Sequence, residues 1–283
     1  EAMHEAAARL MASVNYRSAG TVEFLYDSTR EAVYFLEVNA RLQVEHGVTE
    51  MVTGLEIVDW MLRIGDGERA LPEAPTPRGA ALQARLYAED VPKGFLPATG
   101  RLAHLRFADG ARADTGVRAG DEISPHYDPM IAKIIVQGAT RAGALRRLSA
   151  ALEATEVAGT VTNLGFLGAL ARHADFARGD VDTGLIARDI DTLVQEREPG
   201  PGEIVLAALA ALGLMEGLGP ETGFTLWQPM ERDVLLRHGG RDMPLRVRSL
   251  SGDAHDVMVE GCTVELRRLG GRWQVDGEAA PNV

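Results

Sequence analysis

Lysine is nearly missing from this sequence. Among its 29 basic residues only Lys93 and Lys133 are lysines. Chemistry that needs a lysine before position 93 is therefore beyond these residues. Cysteine is reduced to Cys262. That excludes an internal disulfide and a cysteine-based metal site, and a reducing compartment, the cytoplasm, is expected. No apolar run approaches the roughly 18–20 residues of a membrane span, so no membrane partner is expected. The acidic, alanine-rich opening stretch has no basic region or cleavage site of a signal peptide. Basic charge is in deficit too. Acidic residues number 41 and the net charge is −12, which makes nucleic acid a poor partner.

What is present is enough to fold. Hydrophobic residues make up 46 % of 283 residues, which excludes wholesale disorder. That length holds about two domains at roughly 100–200 residues each. Residues 1–14 have helical spacing through Met3, Ala7, Leu10, Met11 and Val14. The pattern starts without a cap, so a piece of a longer protein is expected. Residues 20–26 and 33–38 are rich in β-branched and aromatic residues and predict a hairpin. Residues 48–65 predict one helix, and Pro72, Pro75 and Pro77 place a boundary near residues 76–78. Strands are expected at 81–87, 100–107 and 130–137. Helices are expected at 140–154 and after Thr162, ending before Phe176. Residues 195–202 read as a linker. A short apolar helix over 204–214 and a run of antiparallel strands over 224–276 follow it.

From Glu37 to Glu45 polar and apolar residues alternate without a miss. An extended chain puts Glu37, Asn39, Arg41, Gln43 and Glu45 on one face. A solvated strand face is the bland reading. Against it stand the mixed chemistry of the set and the carboxylate of Glu23. If the hairpin is centred near residue 30, Glu23 lies opposite Glu37. Directly opposed like charges are destabilising, and a divalent cation reverses the sign. Mg²⁺ or Mn²⁺ takes carboxylate and phosphate oxygens, and the Asn39 amide oxygen can join them. Arg41 can hold an anion bidentately, and Glu45 can serve as a general base.

Several segments resemble biotin carboxylase. They are GTVEFLYD (20–27), FLEVNARLQVEHGVTEMVTG (35–54), LQARLYAED (82–90), YDPMIAKIIVQG (127–138) and GTVTNLGFL (159–167). The resemblance covers roughly residues 1–190. The whole looks like the biotin-containing α subunit of an acyl-CoA carboxylase. The tail from residue 223 resembles the bacterial methylcrotonoyl-CoA type, with propionyl-, acetyl- and geranyl-CoA carboxylases as alternatives. The implied fold is α+β. Residues 1–77 would be the C-terminal part of an ATP-grasp domain and 78–194 the biotin carboxylase C-terminal domain. After the linker, 203–283 would be a small antiparallel β-barrel with a helix that docks a carboxyltransferase β subunit.

The implied activity is an ATP-dependent ligase. Bicarbonate and ATP form carboxyphosphate, and biotin on a carrier domain of the same longer chain is then carboxylated. By resemblance Glu23, Glu37 and Asn39 are the metal and phosphate contacts. Arg41, Gln43 and the Val44 backbone form the bicarbonate pocket. Glu45 is the base, and Arg85 stabilises the biotin enolate. The resemblance also implies a homo-oligomer of α subunits. The glycine-rich loop, the phosphate-binding lysines and the Met-Lys-Met attachment sequence of that family are not found here, so the 283 residues alone are expected to be inactive. A stand-alone scaffold for carboxyltransferase subunits, or an ATP-grasp ligase without biotin, are the other readings. Lys133 is read as a structural or ion-pairing lysine, His46 as orienting the turn into the helix, and His126 as a structural loop residue. Trp227 and Trp273 are read as core or interface aromatics, and Cys262 as a buried small hydrophobe.

Overall fold

The structure is a computed structural model and describes residues 2–27, 29–69, 75–195, 198–215, 226–238 and 240–280. The chain divides into two compact units, Glu1–Gln195 and Glu196–Val283.

The first unit opens with helix α1 (Ala2–Ser13) and the hairpin β1 (Thr21–Asp27) and β2 (Ala32–Asn39). The hairpin loop is set locally: Asp27 Oδ1 accepts from the backbone N–H of Thr29 at 2.9 Å and of Arg30 at 3.1 Å. Glu23 pairs with Glu37, as a centre near residue 30 requires, and a bulge follows between Glu23 and Phe24.

The expected extended run does not continue to Glu45. β1 begins at Thr21, the partner of Asn39, so residues 40–45 have no ladder to join. The chain turns there into helix α2 (His46–Thr53). The single helix expected over 48–65 is also two. Gly54 closes α2 in the left-handed region at φ 72°, and α3 (Ile57–Gly65) starts afresh.

The rest of the unit is built on β3 (Ala80–Tyr87). Short strands follow: β4 (Glu89–Asp90), β5 (Leu96–Pro97), β6 (Gly100–Arg101), β7 (His104–Arg106), β8 (Arg112–Thr115) and β9 (Glu122–Ile123). Strand β10 (Met130–Gly138) then runs between β3 and β8 in an antiparallel sheet. Helix α4 (Arg141–Glu153) is capped by Thr140, whose hydroxyl accepts from Gly143 N at 3.1 Å. It packs Leu145, Leu148 and Leu152 against Leu86, Ile131 and Ile134 in one core. Strand β11 (Glu156–Ala158) pairs with β7. Helices α5 (Leu164–Arg172), α6 (Ala174–Arg178) and α7 (Leu185–Leu193) complete the unit. The helix expected after Thr162 ends at Arg172, before Phe176, which lies in α6.

The second unit starts its helix earlier than expected. Helix α8 (Pro201–Ala211) takes Pro201 into its first turn, and Glu203 Oε2 reaches back to Gly200 N at 2.7 Å. Strands β12 (Met230–His238), β13 (Arg241–Ser251), β14 (Ala254–Val259), β15 (Cys262–Leu269), β16 (Arg272–Val275) and β17 (Glu278–Ala279) pair in chain order. Among the described residues no ladder joins β12 to β17. Val205, Leu206 and Leu209 of α8 pack with Leu245, Val247, Val257, Leu266 and Trp273 of the sheet.

One expectation fails here. Cys262 is exposed. It opens β15 beside the Glu260–Gly261 turn, one step before the inward row of Val264 and Leu266. Of the two tryptophans read as core or interface aromatics, Trp273 is buried and donates from Nε1 to Met215 O at 3.3 Å, whereas Trp227 is 92 % exposed, which leaves it the interface reading.

The same core holds a histidine that hydrophobic patterning overlooks. His255 is fully buried, its Nδ1 lies 3.1 Å from Ser249 Oγ, and its Nε2 has no partner. Burial holds this imidazole below its ordinary value of 6.5, and the nearby Arg267 and Arg232 act in the same direction against Gly252 and Asp253. The neutral ring is the folded form. As pH falls below 6.5 the unfolded chain gains a proton there that the folded unit does not. The stability of this unit should therefore fall as pH drops through that window, by at most about 1.4 kcal/mol per pH unit from this group. Thermal unfolding followed from about pH 8 to about pH 5 checks it, and His255→Gln should lose that part of the slope.

Candidate functional site

The two opposed glutamates face one point. Asn39 Nδ2 donates to Glu23 Oε1 at 2.8 Å and to Glu37 Oε1 at 3.1 Å. The amide nitrogen thus sits between two carboxylates whose mutual repulsion it relieves. A second amide joins them, because Gln43 Nε2 donates to the same Glu23 Oε1 at 2.9 Å. Arg41 is turned toward this cluster: its Nη2 lies 3.3 Å from Asn39 Oδ1 and its Nη1 lies 3.4 Å from Leu42 O. Glu23, Glu37, Asn39, Arg41 and Gln43 are therefore brought together although the chain has left the strand after Asn39.

The turn places Glu45 at the start of α2. Its Oε2 accepts from Arg85 Nη2 at 2.8 Å across 40 residues of sequence, with both side chains about half exposed. Val44 is half-buried in the same turn. The turn is closed by His46, whose backbone N–H donates to Gln43 O at 3.2 Å and whose Nδ1 donates to it at 2.9 Å. His46 is thus a turn-orienting residue, as its sequence position suggests.

Arg85 is held from behind by Asn163, which is 5 % exposed. Asn163 Nδ2 donates to Arg85 O at 3.2 Å, and its Oδ1 accepts from Tyr87 N at 2.9 Å. The side chain imitates a neighbouring strand and fixes the backbone on both sides of Leu86. The motif GTVTNLGFL contains this residue, but nothing in its spacing marks the asparagine.

Behind the turn lies a second charged group that the sequence does not announce. Lys133 of β10 pairs in register with Arg85 on one side and Asp114 on the other. Lys133 Nζ lies 3.1 Å from Asp114 Oδ2, the ion-pairing role expected for it. Arg112 forks onto Asp114 through Nε at 2.8 Å and Nη2 at 3.0 Å. Burial pushes the Asp114 carboxyl up, but Arg112 and Lys133 outweigh it and hold it below the carboxylate range. The fork from Asp114 and the carboxylate of Glu50 hold Arg112 protonated against the cost of burial.

One further cluster, His173, Asp175 and Asp189, brings three metal-type ligands together, but its carboxylates already pair with Arg178 and Arg188. It makes no contact with the groups above.

The chain is similar to known proteins along its length. Residues 1–73 match the family model described as carbamoyl-phosphate synthase L chain, ATP binding domain. Residues 83–188 match the biotin carboxylase C-terminal domain. The alpha subunit of mitochondrial methylcrotonoyl-CoA carboxylase from Arabidopsis thaliana is 39 % identical over 96 % of this chain. Urea amidolyase from Saccharomyces cerevisiae is 46 % identical over 65 % of it. Among solved structures, the biotin carboxylase domain dimer of 2-oxoglutarate carboxylase from Hydrogenobacter thermophilus has a TM-score of 0.63. That structure, a complex with MgADP, ADP and bicarbonate, is 36 % identical and covers 66 % of this chain and 42 % of its own. The chain spans 39 % of the Arabidopsis relative and 10 % of the yeast one. The ATP binding domain and the biotin carboxylase C-terminal domain are thus matched in tandem, over residues 1–73 and 83–188, in the order that the fold shows.

Proposed function

We propose that these residues form the second half of an ATP-dependent biotin carboxylase within the α subunit of an acyl-CoA carboxylase. Residues 1–77 would close the ATP-grasp domain, and 78–194 would be the C-terminal domain. Residues 195–202 would be a linker, and 203–283 a module that docks a carboxyltransferase β subunit. The observation that carries the reading is the convergence of Glu23, Glu37, Asn39, Arg41 and Gln43, with the Glu45–Arg85 pair at the end of the same turn.

The donor set fits Mg²⁺ or Mn²⁺. Two carboxylates and an amide are hard oxygen ligands, and the point they enclose already holds a hydrogen-bond donor in place of a cation. Half a turn of the Asn39 amide would present its oxygen there instead. Glu23 and Glu37, with the Asn39 amide oxygen, would hold the ion, which would supply charge neutralisation to the phosphates of ATP. Arg41 binds the bicarbonate anion, and Gln43 with the Val44 backbone orients it. Glu45 takes the bicarbonate proton as the oxygen attacks the γ-phosphorus of ATP. Carboxyphosphate forms and ADP leaves. Arg85 then provides a fixed positive charge where negative charge develops on the ureido oxygen of biotin. Guanidinium suits this because it does not lose its proton.

The Glu45–Arg85 contact supports a shared site for both half-reactions. The base and the cation are within hydrogen-bond distance, so the carboxyl group need not travel far between them. The exposed apolar residues of the hairpin, Tyr34, Phe35, Leu36 and Val38, support further chain packing on β1 and β2. The likeness to the methylcrotonoyl-CoA carboxylase subunit runs through residues 203–283, whereas that to urea amidolyase covers only 65 % of the chain. This favours methylcrotonoyl-CoA as the acyl substrate of the assembly; the bacterial type rests on the resemblance of the tail from residue 223 alone. Among the described residues no helix is long and apolar enough to cross a membrane. From the single thiol, Cys262, we infer a reducing compartment and propose the cytoplasm. A biotin carrier domain and further copies of the subunit complete the proposed partners.

The test uses the full-length encoded polypeptide. ADP release from ATP should require bicarbonate and Mg²⁺ or Mn²⁺, and should rise with free biotin. The 283-residue chain alone should show none. Release by the full-length polypeptide that is indifferent to bicarbonate overturns the reading.

A further inference from the structure

One turn into α2 stands Glu50, which none of the proposed chemistry uses. It is 4 % exposed, although carboxylates are rarely so deep without a partner. Its two oxygens do different work. Oε1 accepts from Ile57 N at 2.9 Å, which fixes the start of α3 on the end of α2. Oε2 lies 2.7 Å from Arg112 Nη1, an ion pair without the alignment of a good hydrogen bond. The same oxygen is 4.0 Å from His46 Nε2, and His46 in turn closes the turn through Gln43 O. Glu50 therefore stands in the helix that Glu45 opens and touches the start of α3, the residue that shapes the Gln43–Glu45 turn, and the sheet that carries Arg85.

The sheet side of this joint is stiff. Arg112 is forked onto Asp114, Asp114 onto Lys133, and Lys133 stands beside Arg85 in the next strand. Helix α2 lies tightly on this face. A Cβ at Gly47 would come within 2.3 Å of Ile135 Cδ1 and 3.5 Å of Gln83 Oε1. The helix can thus approach, but contact alone does not set its rotation or its position along the sheet. A charge held at one point does.

We propose that Glu50 is a positioning residue for the bicarbonate site, and that its pairing with Arg112 registers the Gln43–Glu45 turn against Arg85. The inference rests on the assignment of that turn to bicarbonate, and it adds the device that holds the turn in place. The base and the cation come from parts of the chain 40 residues apart. Their separation depends on how α2 sits on β3, β8 and β10, and the Glu50–Arg112 pair is a charged link between α2 and that sheet besides the Glu45–Arg85 pair itself. Displacement of a reacting group by about 1 Å can cost about 100-fold in rate.

Glu50→Gln tests it in the full-length encoded polypeptide. The amide keeps the size of the side chain and an acceptor for Ile57 N but loses the charge. The KM for bicarbonate should rise about tenfold and kcat should fall about tenfold, while the KM for ATP stays within about twofold. A loss of folded protein alone would lower kcat and move neither KM. Arg112→Met should reproduce the effect. Arg112→Lys keeps a cation in reach of both acids and should recover most of it. Amide hydrogen exchange gives a readout that needs no activity. Exchange over residues 42–48 should quicken in Glu50→Gln and in Arg112→Met, while β1 and β2 stay as in the parent protein. Unchanged exchange in that turn, or an unchanged KM for bicarbonate in an enzyme that does require bicarbonate, overturns the positioning role. Normal effects on exchange in a parent protein that cleaves ATP without bicarbonate would leave the joint in place and remove the function assigned to it.

Discussion

Arg85→Ala in the full-length encoded polypeptide is expected to lower carboxyl transfer to biotin by about 100- to 1,000-fold. Bicarbonate-dependent ATP cleavage should fall much less. The difference follows from where the side chain acts. Its guanidinium is the fixed positive group nearest Glu45, so it matters most when charge builds on the acceptor. It contributes to the first half-reaction only by steadying Glu45. The backbone at residue 85 should not move, because Asn163 holds it from both sides. Arg85→Lys should recover part of the loss, since the charge remains but the planar fork does not. Separate assays of ADP release and of carboxylated biotin check this. Equal losses in both would remove the role assigned to Arg85.

Glu37→Gln should abolish turnover at ordinary Mg²⁺ or Mn²⁺ concentrations, a loss of at least about 100-fold. The second half of this prediction concerns stability and has the opposite sign. Glu23 and Glu37 are register partners, and like charges placed directly opposite destabilise a hairpin. In a buffer with a chelator, the variant should therefore unfold no earlier than the parent. Added Mg²⁺ should raise the melting temperature of the parent and leave that of the variant nearly unchanged. Thermal unfolding with and without metal measures both. Retained turnover, or a melting temperature of the parent that ignores the metal, counts against the ion between the two acids.

The hairpin was legible because its determinants are local. Asp27 captures two backbone N–H groups within three residues. That sets the loop, and the loop sets which residues oppose each other. The polar stripe was misread in its second half for a physical reason. Alternation describes side chains, whereas a strand needs a neighbour to receive its backbone bonds. β1 starts at Thr21, so the partner runs out at Asn39 and the alternating residues beyond it form a turn. The polar groups still converge, because a turn brings Arg41 and Gln43 back over Asn39 and Glu23. The merged helix over 48–65 failed at Gly54, where a left-handed residue interrupts an unbroken apolar pattern. Cys262 failed because a strand's first residue lies at a turn, outside the layer that its parity suggests.

By itself the sequence determined the kinds of elements, the opposition of Glu23 and Glu37, and the residue types that can bind a metal and an anion. Those features depend on neighbours a few positions apart, where backbone geometry limits the choices. Only the tertiary structure decided that Glu45 meets Arg85, that Asn163 steadies Arg85, and that Glu50 is buried against Arg112. Each of these contacts joins distant stretches through the seating of α2 and α5 beside one sheet. Such contacts follow from three-dimensional packing, which leaves no periodic trace in the order of the residues.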